Sequence, residues 1–153
     1  MQTSFILNLE ESRIQKPYNV LGMPTYLKIS AQDTNGQMNM FYGDYRRNQG
    51  PPLHQHNLDE TFYVTEGEFI FQLCDRKVKA IAGSTIFIPR MMPHAFLVTS
   101  KIGRTLFMLS PAGNVEALFE KYDSYQTFPP VEELMRVSLE FDCPILGPQI
   151  TED

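Results

Sequence analysis

Basic residues are in short supply: 13 Lys and Arg stand against 18 Asp and Glu in 153 residues, a formal net charge of −5. The only basic clusters are the pairs Arg46-Arg47 and Arg76-Lys77, too short to neutralise a phosphate backbone, so no nucleic-acid partner is expected. Long apolar runs are missing as well. No stretch approaches the roughly 18 residues of a membrane span. The N-terminus has neither the basic region nor the apolar length of a secretory signal, so no membrane partner is expected. Cysteine is nearly absent, and Cys74 and Cys143 stand in no metal or redox spacing. That excludes a disulfide framework and fits a reducing cytoplasm. Cys74 reads as a small buried residue with no redox role. Histidine occurs only three times, as His54, His56 and His94.

What is present suits one globular domain over 1–153, with 42% hydrophobic and 20% charged residues. From Tyr26 to Ser110 short apolar or aromatic runs alternate with turn residues, the pattern of an all-β sandwich or barrel. Strands are expected at Tyr26–Ser30, Gln37–Tyr45, Thr61–Thr65, Phe69–Leu73, Val78–Ile81, Thr85–Pro89, Ala95–Thr99 and Thr105–Ser110. Asn35-Gly36 signals a type I′ hairpin between the first two, and Glu66-Gly67 a hairpin between the next two. A helical segment follows over 111–153. Asn114 would cap Val115–Tyr122, and Pro129-Pro130 would open a second helix with Val131, Leu134, Met135, Ser138 and Leu139 at helical spacing. Met91, Met92 and Met108 read as core filler.

The chemistry concentrates on the histidines. His54 and His56 at i and i+2 share one face of an extended strand, with Cα atoms roughly 6.5 Å apart. Glu60 has the same parity but would lie about 20 Å from His54 in a straight strand, so the chain must turn at Asn57-Leu58-Asp59. His94 comes several strands later, presented by a turn between Pro89 and Pro93. Three imidazoles and a carboxylate suit one divalent transition metal (Fe, Mn, Ni, Co, Cu or Zn) and leave positions open for water, substrate or dioxygen. Phe62 and Val64 share the parity of Glu60, and Phe96 and Val98 that of His94. If the ligands point inward, these four line an apolar substrate pocket; a filled barrel interior is the alternative. Tyr63 has opposite parity and should face outward.

His54-x-His56-x₃-Glu60-x₆-Gly67 and Gly83-x₅-Pro89-x₄-His94 resemble the two motifs of the cupin superfamily. The surrounding segments Gly50-Pro51-Pro52, Asp59–Val64, Ser110–Gly113 and Leu146-Gly147-Pro148 are similar to single-domain cupins of the quercetin 2,3-dioxygenase type. The resemblance implies a double-stranded β-helix, or jelly-roll barrel, with one or two short C-terminal helices. It also implies His54, His56, Glu60 and His94 as metal ligands, and a homodimer paired through N-terminal strands. Ser4–Leu7 is the candidate exchanged or edge-pairing segment, unless it closes its own sheet. Three positions depart from the motifs, since Asn48 and Met91 replace glycines and Val98 an asparagine. Met91 implies a turn that is less tight, or one without positive φ at that residue.

The activity these features imply is a metal-dependent dioxygenase acting on a small organic, aromatic or flavonol-like substrate, with Glu60 doubling as the catalytic base. A non-catalytic module binding metal and a small ligand stays open beside it. So does a metal-dependent isomerase or lyase, because one scaffold hosts many functions.

Overall fold

The computed structural model describes residues 2–153. In chain order come β1 (Tyr18–Val20), β2 (Met23–Ile29), a 3₁₀ turn (Gln32–Thr34), β3 (Asn39–Arg46), β4 (Pro52–His54), β5 (Asp59–Glu66) and β6 (Glu68–Leu73). They are followed by β7 (Arg76–Ile81), β8 (Thr85–Ile88), β9 (His94–Val98), β10 (Ile102–Ser110), α1 (Val115–Asp123), α2 (Val131–Glu140) and β11 (Ile145–Gln149). A six-stranded sheet, β1-β2-β3-β10-β5-β8, faces a five-stranded one, β11-β4-β9-β6-β7. This is the expected all-β jelly-roll barrel of cupin type, with two short C-terminal helices.

Period-two alternation builds the interior. On β3, Asn39, Phe41, Gly43 and Tyr45 point inward, and on β5, Glu60, Phe62 and Val64 do the same. Between the sheets the aromatic rings contact one another: Phe41 and Phe62 each stack on Phe107, with centroids 5.0 and 5.2 Å apart, and Phe62 meets Phe96 edge-on at 5.6 Å. α1 closes this side of the barrel, burying Val115, Leu118 and Tyr122. Tyr63 faces outward, as its parity required.

Several local expectations are corrected. β5 and β6 form no hairpin, because β5 pairs with β10 and β8 while β6 pairs with β7 and β9. The chain crosses between sheets at Gly67, whose φ of +88° carries it past the Ile102 carbonyl. Asn35 and Gly36 both have positive φ, but they end the 3₁₀ turn within a longer connection instead of forming a two-residue loop. The two-residue turn of that kind is Leu21-Gly22, joining β1 to β2 with φ of +53° and +87°. Ser4–Leu7 forms no strand, and Ile6 is exposed. The segment after it is held by Lys28, whose Nζ donates to the carbonyls of Asn8, Leu9 and Glu11. Met91 and Met108 are exposed and fill no core. Cys74 is exposed on the β6–β7 turn with φ +56°, so it is not the buried residue its small size implied. Among the described residues no helix is long and apolar enough to cross a membrane.

Candidate metal centre

Both sheets contribute to the centre. His54 ends β4 and lies directly across from His94, the first residue of β9, in the five-stranded sheet. Glu60, the second residue of β5, reaches in from the six-stranded sheet. His56 lies beyond the end of β4, so the pair His54/His56 does not share one strand. The chain bends at Asn57-Leu58, within the turn expected between the histidines and Glu60, and the Met91 amide donates to the His56 carbonyl at 2.8 Å, fastening the two ligand-bearing loops together. The imidazole centroids come within 4.3 Å (His54–His94), 4.9 Å (His56–His94) and 5.7 Å (His54–His56). His56, Glu60 and His94 are buried, at 6, 5 and 3% exposure.

The tautomers follow from the hydrogen bonds. Nδ1 of His54 lies 2.7 Å from the Pro52 carbonyl, Nδ1 of His56 3.1 Å from that of Leu58, and Nδ1 of His94 2.8 Å from that of Met92. A carbonyl only accepts, so each Nδ1 carries a proton and donates it. Each neutral ring is then left with its lone pair on Nε2, oriented by a backbone partner in the way metal-bound histidines are. Glu60 Oε2 stands 2.9 Å from His56 Nε2 and 3.0 Å from His94 Nε2. One ligand atom from each of the four residues falls within 4.8 Å of the others. Opposite ligands on one such ion lie about 4.2 Å apart, so the cluster has the dimensions of a single coordination sphere.

Electrostatics lead to the same conclusion. Burial pushes the Glu60 carboxyl up, but the His56 and His94 rings beside it outweigh that and hold the group well below the usual carboxylate range. Burial pushes His54 down to about 3, so it stays neutral at physiological pH. Burial opposes a charge on His56 too, yet the Glu60 carboxylate raises it overall. Acceptor atoms thus converge on one point with a buried negative charge and no fixed cation among them. A divalent ion satisfies that arrangement, and His54, His56, Glu60 and His94 are the residues that could hold it.

His54, Glu60 and His94 form part of the wall of a cavity of about 100 Å³. Phe62 and Phe96 line it as expected, but Val64 and Val98 do not. Those two lie deeper, fully buried among Phe69 and its neighbours in the barrel core. Much of the remaining wall escaped the sequence reading: Tyr45, Phe107, Leu118, Tyr122, Cys143 and Ile145. Inward parity on β3 and the i, i+4 pair on α1 could have marked Tyr45, Leu118 and Tyr122 as buried, but nothing local placed them beside the ligands. Gly43 makes room for Tyr45, since a Cβ there would sit 1.9 Å from the Tyr45 hydroxyl. That hydroxyl pairs with Thr105 Oγ1 at 3.2 Å, and burial holds the phenol far above its usual range, so it is a neutral group on the wall.

The cupin domain model matches residues 43–108, the stretch that carries all four candidate ligands. No curated protein matches the sequence. Among solved structures, an RmlC-like cupin from Shewanella frigidimarina superposes with TM-score 0.61 and 18% identity, over 72% of this chain and 94% of that one. KdgF from Halomonas sp. gives 0.56 and 18%, over 62% and 84%. The polyketide cyclase RemF from Streptomyces resistomycificus gives 0.55 and 23%, over 72% and 79%. At these identities the likeness is one of fold.

Proposed function

We propose that this chain is a cupin metalloenzyme: a dioxygenase acting on a small, mainly apolar organic substrate. The observation that carries the reading is the junction of the donor cluster with the aromatic cavity. His54, His94 and the Glu60 carboxylate meet at the wall of a space otherwise lined by Phe62, Phe96, Phe107 and similar side chains, and His56 Nε2 joins them 2.9 Å from Glu60 Oε2. The same apolar wall speaks against a sugar, which needs many polar partners.

Bound there, the ion would supply Lewis acidity and, for a redox-active metal, a route for electrons to dioxygen. The chain's own residues perform the rest. Phe62, Phe96 and Phe107 exclude water and hold an aromatic or aliphatic group by contact. Glu60 places a carboxylate oxygen at the centre, on the cavity wall, where it could accept the proton of a substrate hydroxyl brought there. Tyr45, neutral and paired only with Thr105, offers one hydroxyl to orient a substrate oxygen. The backbone carbonyls of Pro52, Leu58 and Met92 keep the imidazoles aimed while this happens.

A second reading, a lyase or cyclase that uses the ion without dioxygen, is favoured by the fold-level likeness to RemF, a polyketide cyclase. Metal analysis followed by a dioxygen electrode separates the two. Near-stoichiometric iron, manganese, nickel, cobalt or copper, lost in His94→Ala and Glu60→Ala, is expected. So is dioxygen uptake with a flavonol, diketone or catechol. Turnover that continues without dioxygen assigns the second reading, and protein that takes up no metal on reconstitution removes both.

A further inference from the structure

Beside the metal cavity lies a larger groove of about 620 Å³, bounded by the β1–β2 turn, the Asn48–Gly50 loop, α2 and β11. Leu21, Met23, Pro52 and Ile145 line both spaces, so the two adjoin along these side chains. No lining residue of the groove is charged. Two of its three polar side chains are committed to the fold: the Gln149 amide donates to the Asn48 carbonyl at 2.7 Å, and the Gln49 amide to the Gly22 carbonyl at 3.2 Å. At its lip stand Val131 and Met135, one turn apart on α2 and 64 and 48% exposed. A surface helix ordinarily buries such a stripe. Here α2 buries Leu134, Val137 and Ser138 instead, and presents the second apolar row to the groove. Leu21 and Asn48, at the mouth, hold φ of +53° and +69°. Conformations of that kind in non-glycine residues gather at ligand-binding segments.

The inner cavity, at about 100 Å³, is smaller than the roughly 150 Å³ space known to admit benzene, so it takes no more than one ring. Resting on the function proposed above, we infer that the substrate has two parts: a ring-sized, oxygen-bearing head in the metal cavity and a larger uncharged apolar body in the outer groove. The occupant is one molecule because the two spaces adjoin along Leu21, Met23, Pro52 and Ile145 and because no side chain in the groove selects a charged group. Each methylene that leaves water for such a groove tightens binding up to about fourfold.

The test compares catechol with 4-hexylcatechol by anaerobic titration calorimetry on the metal-loaded full chain. The hexyl compound is expected to bind at least tenfold more tightly. In Val131→Glu/Met135→Glu that ratio should fall below threefold, whereas Phe87→Glu, on an exposed strand outside the groove, should keep it. The wild-type ratio needs no variant to fold, and the milder Met135→Gln should lower it in part. Catechol failing to bind a metal-loaded centre removes the function proposed above and the two-part substrate with it. Catechol binding without any gain from the chain overturns the two-part substrate alone. A wild-type dimer that the double variant splits, with both compounds bound equally, gives the groove to a second copy and also overturns it.

Discussion

At Met91 the backbone takes φ +65°, in the turn that presents His94, although its side chain is half exposed. The expected glycine is absent and the turn forms all the same. The Met91 amide bond to the His56 carbonyl compensates for the strained backbone. Replacing Met91 with Gly should therefore raise the stability of the metal-free protein by about 1 kcal/mol, the scale of the left-handed penalty. An unchanged or lower urea midpoint would mean that the turn carries no strain. The two thiols differ in the same local sense. Cys74 is exposed, while Cys143 lies on the cavity wall, where burial pushes its thiol up to about 12. A disulfide-exchange reagent should titrate one cysteine rapidly in native protein and the second, partly buried and with a raised pKa, much more slowly. Retention of the fast phase in Cys74→Ser would contradict this assignment.

Among the elements, the β5–β6 crossing decides how the sheets face each other. A Cβ on Gly67 would stand 2.2 Å from the Ile102 carbonyl and 2.7 Å from Ser100 Oγ, at a φ of +88° that side chains rarely adopt. The neighbouring backbone has no flexible atom to withdraw. Gly67→Ala should cost about 3 kcal/mol, combining backbone strain with overpacking, read as a drop in the thermal midpoint. A change below about 1 kcal/mol would mean that the crossing relaxes around a methyl group. α2 shows what spacing alone leaves open: of the residues expected at helical spacing, Leu134 and Ser138 are buried. Val131, Met135 and Leu139 recur at i, i+4, i+8, yet they are exposed, and the buried face runs through Leu134 and Val137.

Over the whole molecule, acid stability depends partly on how the N-terminal segment is tied down. Asp33 accepts from Arg13 Nε at 3.0 Å and Nη2 at 2.7 Å, and from the Ser30 amide at 2.9 Å. Chiefly through the Arg13 bonds, its carboxyl is held down to about 2. A carboxyl depressed in the folded state contributes stability that is complete above its unfolded value, about pH 4, and is lost as pH falls toward 2. Wild type should therefore lose more stability than Asp33→Asn between about pH 5 and pH 2, as followed by urea midpoints. Parallel curves would show that the pair contributes nothing to acid stability.

The order of residues alone was enough for the barrel and for the donor set, because both are written in local signals. Period-two alternation marks strands, and three scarce histidines with one glutamate at motif spacing mark a ligand cluster. The helix boundaries followed from proline and first-turn chemistry, although Asn114 spends its side chain on Asp142 and makes no cap bond. Other features had no local signature. β4 and β11 are short and become strands only through partners far along the chain: β4 exists because His54 pairs with His94 and Pro52 with Gln149. The cavity wall is assembled from β3, α1 and the segment around Cys143, which no spacing rule brings together. Val64 and Val98 have the right parity but the wrong depth, since alternation fixes which face a residue takes and not how far along the barrel axis it lies. Local periodicity determines secondary structure and facing, and only the packing of distant segments decides where an interior is filled and where it stays open.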